Sequence, residues 1–350
     1  MQLNFAEREE ENSIIPEKMV YAYRGDNVES IHRGSAVICD CEGRITFEVG
    51  NPEFSTYMRS VAKPFQVIPL IETGAARKFG FTNREIAIMS GSHSGEDVHV
   101  KTLGDILNKA GLSESDLKCG VHIPHYYAVK SITPRPSDVF SPLHNNCSGK
   151  HASMLALCKF KSWLIDEYLG FDHPCQKMIL KAVADACHYP TEKIGRGVDG
   201  CGAPVFALPL KNIAQGMAQL LSPNTVPREI AKVYSGITLA MREYPEMVSG
   251  EGRFDYEIAK VTNGRIISKA GAEGVQLFGL PDARIGGAIK IEDGSRRAAY
   301  PATVEFLYQT GNLSEKEVSD LGRFATPEIL DHNNEIVGRI RSRFEVRKMD

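Results

Sequence analysis

The sequence predicts an α+β fold, with an antiparallel sheet built from strands near both ends of the chain and a helical lobe between them. Short runs of β-branched and apolar residues lie at about 19–50 and again at about 260–295. From about 60 to 245, apolar residues recur at helical spacing. A chain of 350 residues can bury enough apolar surface for one such unit. We therefore expect a polar lead-in over 1–15 and a single domain over 16–350.

The N-terminal strands are predicted from three short apolar runs. They cover 19–23, 35–39 and 45–49, and the last one follows a turn at 41–44. Because the runs are close together in the chain and are separated by turn residues, we expect them to form an antiparallel meander.

The helical middle is predicted from apolar residues at positions i, i+3 and i+4. This pattern runs through 100–110, 152–168, 175–187 and 227–241. Neither of the glycine-rich phosphate loops, GxxxxGK[ST] or GxGxxG, occurs where a strand leads into a helix. Their absence from the sequence removes most of the support for nucleotide chemistry, and we expect no nucleotide or organic cofactor.

The C-terminal part of the sheet is predicted from three further runs. They cover 261–269, 275–280 and 285–291, and a hairpin turn is expected at 292–295. A helical pattern over 297–309 follows. Strands at both ends of the chain imply that they pair into one sheet, with the helices packed on it or forming a lobe beside it.

The charge and cysteine content favour a small-molecule partner. The 41 Lys and Arg residues against 44 Asp and Glu residues give a net charge of -3, which offers no field for binding nucleic acid or anionic lipid. The eight cysteines are few for a chain of 350 residues, so a disulfide scaffold is not expected. The first residues are acidic rather than basic, and no apolar run approaches about 18 residues. We expect a cytoplasmic protein with reduced thiols.

A first candidate for chemistry is the serine–lysine spacing Ser60-Val61-Ala62-Lys63. Positions i and i+3 share one helix face, so the hydroxyl and the ammonium group can come within hydrogen-bond reach. Lysine can take the serine proton only if burial, or a nearby cation such as Arg59, lowers its pKa. The alternative is an N-capping serine beside a surface lysine.

A second candidate is the serine-rich stretch at 90–96, which contains Ser92 and His93. Small residues directly before a helix let backbone N–H groups approach a ligand oxygen, as in an oxyanion hole. The alternative is a loop whose hydroxyl groups cap the helix, with His93 as a loop histidine that has no task.

Two further candidates combine lysine with glycine. Lys269 ends a predicted strand and precedes Ala270 and Gly271, so an ammonium group could lie beside substrate at the sheet edge; a lysine that merely closes the strand is the alternative. The segments 145–151 and 198–202 place two cysteines, a lysine and an aspartate in glycine-rich loops. They could hold a soft divalent ion, although C-x-x-K is not a usual zinc spacing.

Five motifs together carry a family resemblance. In chain order they are SVAK at 60–63, SGSHSGE at 90–96, NNCSGKHASM at 145–154, VDGCGAP at 198–204 and ISKAGAEG at 267–274. With these motifs the chain resembles the rhizobial-type L-asparaginase family, from about Tyr21 to the C-terminal helix. The fold of that family is similar to those of serine β-lactamases, penicillin-binding proteins and serine-dependent glutaminases. The resemblance therefore implies a β-lactamase/DD-peptidase-like fold, which agrees with terminal strands around a helical middle.

The resemblance also implies two serine–lysine pairs. Ser60 would pair with Lys63, and Ser92 would meet Lys269 across a cleft. We expect hydrolysis of the side-chain amide of L-asparagine to L-aspartate and ammonia through a serine acyl-enzyme. In this scheme Ser60 attacks, Lys63 takes its proton, and Ser92 with Lys269 relays a proton to ammonia. The sequence does not decide which serine attacks first.

Metal and substrate contacts are further implications of the resemblance. A zinc ion, present in at least some members, would orient substrate or stabilise structure and would be held by Cys147, Lys150 and Cys201. The residues that look like substrate contacts are Arg59, His151 and Asp199. We expect a homodimer. The alternatives for function are a glutaminase or other serine amidohydrolase, a β-lactamase or DD-peptidase relative, and a non-catalytic ligand-binding homologue.

Overall fold

The computed structural model describes residues 16–349, and the polar lead-in expected over 1–15 lies outside the described residues. The described chain is α+β, as predicted from the sequence. Strands near its two ends form one large antiparallel sheet, and most of the helices come from the middle of the chain.

Twelve strands are found within the described residues. They are β1 (Glu17–Arg24), β2 (Asn27–Cys39), β3 (Ile45–Val49), β4 (Ser55–Tyr57), β5 (Gly195–Val198), β6 (Pro204–Pro209), β7 (Ile267–Ala270), β8 (Val275–Leu280), β9 (Ile285–Ile291), β10 (Glu328–Leu330), β11 (Ile336–Ser342) and β12 (Arg347–Lys348). The main sheet has the order β10-β11-β1-β2-β9-β8-β7, and β3 pairs with both β2 and β12. A smaller sheet has the order β4-β6-β5. The N-terminal strands β1 and β2 therefore lie side by side between C-terminal strands of the same sheet.

The helices of the described chain lie mostly between β4 and β7. They are α1 (Lys63–Gln66), α2 (Ile68–Glu72), α3 (Ala75–Lys78), α4 (Asn83–Met89), α5 (Asp97–Lys109), α6 (His125–Val129), α7 (Ser148–Lys161), α8 (Pro174–Ala186), α9 (Leu210–Leu220), α10 (Arg228–Glu243), α11 (Pro245–Val248), α12 (Phe254–Val261), α13 (Arg296–Gln309) and α14 (Glu315–Leu321). A short 3-10 turn over Arg59–Ala62 leads into α1.

The main sheet is buried on both faces. Successive side chains of a strand point to opposite faces, so in β2 Val37 and Cys39 join the core of the helical lobe. Ala36 and Ile38, which alternate with them, join a second core that contains side chains of α12 and α13. The sheet thus lies between two layers of helices.

Helix α9 lies directly on β9 because a glycine of that strand, Gly286, leaves room for it. A Cβ atom at Gly286 would lie 2.1 Å from the carbonyl oxygen of Ala214 and 2.5 Å from the amide nitrogen of Ala218, both in α9. At the neighbouring Gly287, a Cβ would lie 2.1 Å from the ring of Phe278 on β8. Glycine is therefore required here by close packing rather than by a turn.

Most predicted elements are confirmed, but two of them are too long. The strand expected over 261–269 is only Ile267–Ala270, because Val261 ends α12 and a turn follows. The turn contains Asn263 with a φ of 51°. The helix expected over 152–168 ends at Lys161, where Ser162 takes a left-handed conformation with a φ of 57°.

Several elements were not predicted from the sequence. Strands β10, β11 and β12 extend the main sheet at the C-terminus, and β4, β5 and β6 form the smaller sheet. The segment 292–295 leads from β9 into α13, so the prediction of a hairpin turn there is wrong. Within residues 16–349, none of the helices combines the length and the apolar character needed to cross a bilayer.

The close approach of α9 to β9 can be tested by adding one methyl group. Gly286→Ala should lower the free energy of unfolding by about 1–3 kcal/mol, because the helix must move away from the strand. Gly236→Ala is the control, since a Cβ at this position in α10 meets no atom within 4 Å. It should raise stability by about 1 kcal/mol through helix propensity. Denaturant unfolding measures both, and an unchanged stability for Gly286→Ala would contradict the packing.

Candidate active site

Lys63 is completely buried beside the serine-rich loop at 90–96. The 3-10 turn that precedes α1 places Lys63 at the first residue of that helix. Lys63 is 0% exposed, and its Nζ donates hydrogen bonds to Ser92 Oγ and to the carbonyl oxygen of Asn146, each 2.8 Å long. Burial lowers the pKa of Lys63. A neutral amine at this point can accept a proton from a hydroxyl group that touches it.

The loop that carries Ser92 is held by the chain segment after α11. The Ser92 N–H group donates to the carbonyl oxygen of Val248 at 2.6 Å, and Ser94 Oγ donates to that of Ser249 at 2.7 Å. Gly91 permits this contact, since a Cβ there would lie 2.6 Å from the Val248 carbonyl oxygen. The Ser92 hydroxyl is therefore presented to Lys63 by a braced main chain.

Most backbone N–H groups of this loop are already used. Those bonded within the described chain belong to Ser90, Gly91, Ser92, Gly95 and Glu96. Among the described residues of the loop, the N–H groups of His93 and Ser94 are left for a ligand oxygen. The contribution of this loop to an oxyanion hole would have to come from these two groups.

His93 fastens the loop to the start of α7. Gly95 donates its N–H group to His93 Nδ1 at 3.1 Å, and His93 Nε2 lies 2.9 Å from Ser148 Oγ. Because Nδ1 accepts a hydrogen bond, Nε2 carries the proton and donates to Ser148. Burial lowers the pKa of His93 well below its ordinary value, so the ring is neutral.

Ser60 lies near Lys63 in sequence, but the two side chains do not pair. Ser60 is half-buried, and the described part of the chain offers its hydroxyl group no hydrogen-bond partner. The nitrogen of Lys63 contacts Ser92 instead of Ser60. A buried amine must find acceptors within the protein, and the 90–96 loop and the Asn146 carbonyl group supply them.

Lys269 lies in β7 and is 0% exposed. Its Nζ donates to the carbonyl oxygen of Ala270 at 2.5 Å, and within residues 16–349 it makes no hydrogen bond to Ser92. The contact expected between Ser92 and Lys269 is thus not formed. Burial, with a smaller contribution from the nearby Lys63, lowers the pKa of Lys269 to about 7, although the Asp255 carboxylate opposes the shift.

The structure brings Cys147, Lys150 and Cys201 together. Cys147 precedes α7, Lys150 lies in its first turn, and Cys201 lies between β5 and β6. Lys150 Nζ donates to Cys201 Sγ at 3.0 Å, and the side chains of Cys201 and Cys147 are hydrogen-bonded to each other. This second hydrogen bond lowers the pKa of Cys147 well below its ordinary value. Burial opposes ionisation of Lys150, but the charge of Cys147 raises its pKa overall.

The donor atoms of these three side chains are of types that could hold a zinc ion. Thiolate sulfur and amine nitrogen are suitable zinc ligands, and the groups already touch one another. Among the described residues, no cluster of three or more His, Cys, Asp and Glu side chains could hold a metal ion. Lys150 would therefore be the third ligand, and it would have to lose its proton to the solvent.

Arg59 and Asp199 form an ion pair in the structure. Arg59 Nε donates to Asp199 Oδ1 at 2.9 Å, and Gly200 N–H donates to the same oxygen. Arg59 has a φ of 51°, so its backbone is in the left-handed region that favours glycine. Although burial opposes the shift, Lys150 and Arg59 lower the pKa of Asp199. The pair keeps opposite charges side by side.

His151 has one ring nitrogen that remains available. Its Nδ1 lies 2.6 Å from the hydroxyl group of Tyr168, which also accepts the N–H group of Lys118 at 3.0 Å. The other ring nitrogen, Nε2, is buried and has no hydrogen-bond partner among residues 16–349. Burial lowers the pKa of His151 well below its ordinary value. A neutral imidazole with an unpaired nitrogen suits a ligand contact.

Three contributions to the site were missed in the sequence. Asn146 acts through its main-chain carbonyl group, for which no residue type is diagnostic. Arg253 contacts the carbonyl oxygen of Ser92, and Asp255 accepts a hydrogen bond from the N–H group of Ala270. The signal that could have identified Arg253 and Asp255 is that this pair of opposite charges directly follows Gly-Glu-Gly at the start of a helix.

Comparisons with known proteins identify a family. A family model described as L-asparaginase II matches residues 20–342. A search of curated proteins found no match. Among solved structures, a β-lactamase from Mycobacterium bovis is 13% identical, with a TM-score of 0.44, over 80% of this chain and 95% of that one.

Two other solved structures resemble the chain at similar levels. Mglu in its native form is 14% identical, with a TM-score of 0.42, over 80% of this chain and 64% of that one. An octameric penicillin-binding protein homologue from Pyrococcus abyssi is 14% identical, with a TM-score of 0.30, over 81% of this chain and 74% of that one. The family model, by contrast, spans nearly the whole described chain. The protein therefore belongs to the L-asparaginase II family.

Proposed function

We propose that this member of an amidohydrolase family is an L-asparaginase, which hydrolyses the side-chain amide of L-asparagine to L-aspartate and ammonia. The observation that carries the proposal is the 2.8 Å contact between Lys63 Nζ and Ser92 Oγ, with both side chains buried. A serine hydroxyl becomes nucleophilic when a base takes its proton, and a buried lysine can be that base.

In the proposed path Ser92 would connect Ser60 to Lys63, and the support for it is the contact that Lys63 Nζ already makes with Ser92 Oγ. The Ser60 hydroxyl is the more accessible of the two serines, so it attacks the amide carbon. Its proton passes to Ser92, and the proton of Ser92 passes to Lys63 Nζ. The attack forms a C–O bond, and collapse of the tetrahedral intermediate breaks the C–N bond. Water then hydrolyses the ester by the same route.

Lys269 is proposed to carry the proton to the departing ammonia. A group whose pKa is about 7 can both accept and donate a proton near neutral pH. The charge of Lys63 contributes to the lowered pKa of Lys269, which supports placing both lysines in one proton-handling site. The resting enzyme is active with both amines neutral, and the proton released by serine ends on ammonia.

The ion pair of Arg59 and Asp199 suits a zwitterionic amino acid. The α-carboxylate of asparagine would bind Arg59 and its α-ammonium group would bind Asp199, which exchanges one ion pair for two. The unpaired Nε2 of His151 is a further contact for the substrate. A pocket discriminates the extra methylene of glutamine by only about 1–3 kcal/mol, so preference for asparagine need not be absolute.

We also propose that zinc binds at Cys147, Lys150 and Cys201. When bound, the ion would supply a fixed positive charge that orients the surrounding loops. Cys201 Sγ lies 3.9 Å from Asp199 Oδ2. An ion bound to this sulfur would therefore also help to position the carboxylate that is proposed to bind the ammonium group. The homodimer and the cytoplasmic location stay predictions.

The two serines can be tested by substitution. Ser60→Ala and Ser92→Ala should each lower kcat for ammonia release from asparagine by about a thousandfold or more, because each breaks the proton path. Ser319→Ala, on the exposed face of α14, is the control and should leave kcat unchanged. Mass spectrometry of acid-quenched enzyme should find an aspartyl group on the peptide that contains Ser60. An adduct on Ser92 would reassign the nucleophile, and normal turnover by both variants would refute the mechanism.

The pH dependence of kcat/KM should reveal the ionisation of Lys269. A lysine whose pKa falls from its ordinary value to about 7 is neutral above that pH and charged below it. Since the neutral form is active, kcat/KM should fall about tenfold per pH unit below pH 7 and level off above it. Lys269→Arg keeps a permanent positive charge and should abolish activity across the range. A rate that is independent of pH on both sides of 7 would contradict this assignment.

The metal proposal is checked by elemental analysis of protein purified without chelator. The chain should hold about one zinc ion, and Cys201→Ser should lose most of it because a neutral hydroxyl replaces a thiolate ligand. Cys41→Ser, at a half-exposed cysteine that is separate from this cluster, should retain the wild-type content. Wild-type protein free of zinc, or equal zinc in both variants, would refute the site.

A further inference from the structure

The start of α12 touches both halves of the proposed proton-handling site. Arg253 directly precedes the helix, and Asp255 lies in its first turn. On one side, Arg253 Nη1 donates to the carbonyl oxygen of Ser92 and, at 3.0 Å, to that of Ser249. One guanidinium nitrogen thus joins the serine-rich loop to the segment that braces it.

On the other side, Asp255 holds the strand that carries Lys269. Its carboxylate accepts the N–H group of Ala270 at 2.8 Å, the Ser268 hydroxyl at 2.8 Å and the Gln276 side-chain amide at 2.9 Å. Strand β7 is the last strand of the main sheet, so the N–H group of Ala270 faces no further strand. Asp255 supplies the acceptor that a further strand would supply.

The carboxylate is suited to this position. Asp255 is 3% exposed, and its oxygens receive three hydrogen bonds from neutral donors. It lies near the N-terminus of α12, where the helix dipole favours a negative charge. The residues on both sides of Lys269 are therefore fixed by one buried group, and the lysine between them has little freedom to shift.

We propose that Arg253 and Asp255 form a clamp that sets the Ser92 loop at a fixed position relative to the Lys269 strand. The proposal rests on the proposed function, in which Ser92 and Lys269 handle the same proton. Arg253 and Asp255 are positioning residues, since neither needs to touch the substrate. Because only Phe254 separates them, displacement of either side chain is transmitted to both halves of the site.

The clamp also affects the charge around Lys269. The charged and titratable groups that act on this lysine are Asp255, Lys63, Arg253 and Cys147. Asp255 favours the protonated lysine, whereas Arg253 disfavours it. Removing each charge separately should move the pKa of Lys269 in opposite directions, which loss of structure alone would not do.

The kinetic test uses Asp255→Asn and Arg253→Met in the full chain. Each variant should lower kcat for asparagine by about ten- to a hundredfold with little change in KM, because the reacting groups are misplaced. The acid limb of kcat/KM should move to lower pH in Asp255→Asn and to higher pH in Arg253→Met. Asp320→Asn, at an exposed ion pair of α14, is the matched control. It should change neither kcat nor the pH at which kcat/KM begins to fall. Unchanged kcat in both variants, or limbs that move in the same direction, would overturn the clamp.

A second measurement does not depend on turnover. Hydrogen exchange followed by mass spectrometry reports on the 90–96 loop and on β7 separately. If the two are clamped together, each variant should speed exchange in both segments, while Asp320→Asn should change neither. Exchange that rises only at β7 in Asp255→Asn and only in the loop in Arg253→Met would overturn the clamp. A wild-type enzyme that releases no ammonia from asparagine would refute the proposed function and leave this result to stand alone.

Discussion

The arrangement of the site depends on the burial of one amine. Lys63 is closed off from water, so its nitrogen must find hydrogen-bond partners within the protein. The partners are Ser92 Oγ and the main chain of Asn146, which lie 29 and 83 residues away in sequence. The two segments that provide them are also joined by the contact between His93 and Ser148. One desolvated group therefore explains why three separate motifs meet.

Charge balance is the second organising feature. The net charge of -3 says nothing about the interior, where several basic side chains are buried. Lys150 is compensated by Cys147 and Asp199, and Lys269 is compensated by Asp255. Because these groups influence one another, their protons bind as a coupled set. A substitution at any one of them changes the protonation of its neighbours, so single-residue effects in this site will not add.

Hydrophobic periodicity predicted the strands and helices whose bounds depend on local sequence. It did not predict the features that depend on contacts between distant parts of the chain. The strands at 275–280 and 285–291 were predicted to the residue because apolar runs end at turn residues there. The strand expected over 261–269 was wrong because α12 extends to Val261 and uses the same apolar residues as a helix. The site residues were recognisable as motifs, but their pairing was not. Whether Lys63 turns toward Ser60 or Ser92 depends on a loop outside its own helix.

The order of strands in the main sheet has a consequence for biosynthesis. Strand β1 pairs with β11, and β2 pairs with β9. These two early strands therefore cannot pair with β11 and β9 until the C-terminal part of the chain has been synthesised. The helical lobe can collapse earlier, since most residues of its core lie in the middle of the chain. Lys269, however, takes its place only when β7 joins the sheet. In a nascent chain the proposed site is therefore incomplete until the late strands have joined the sheet.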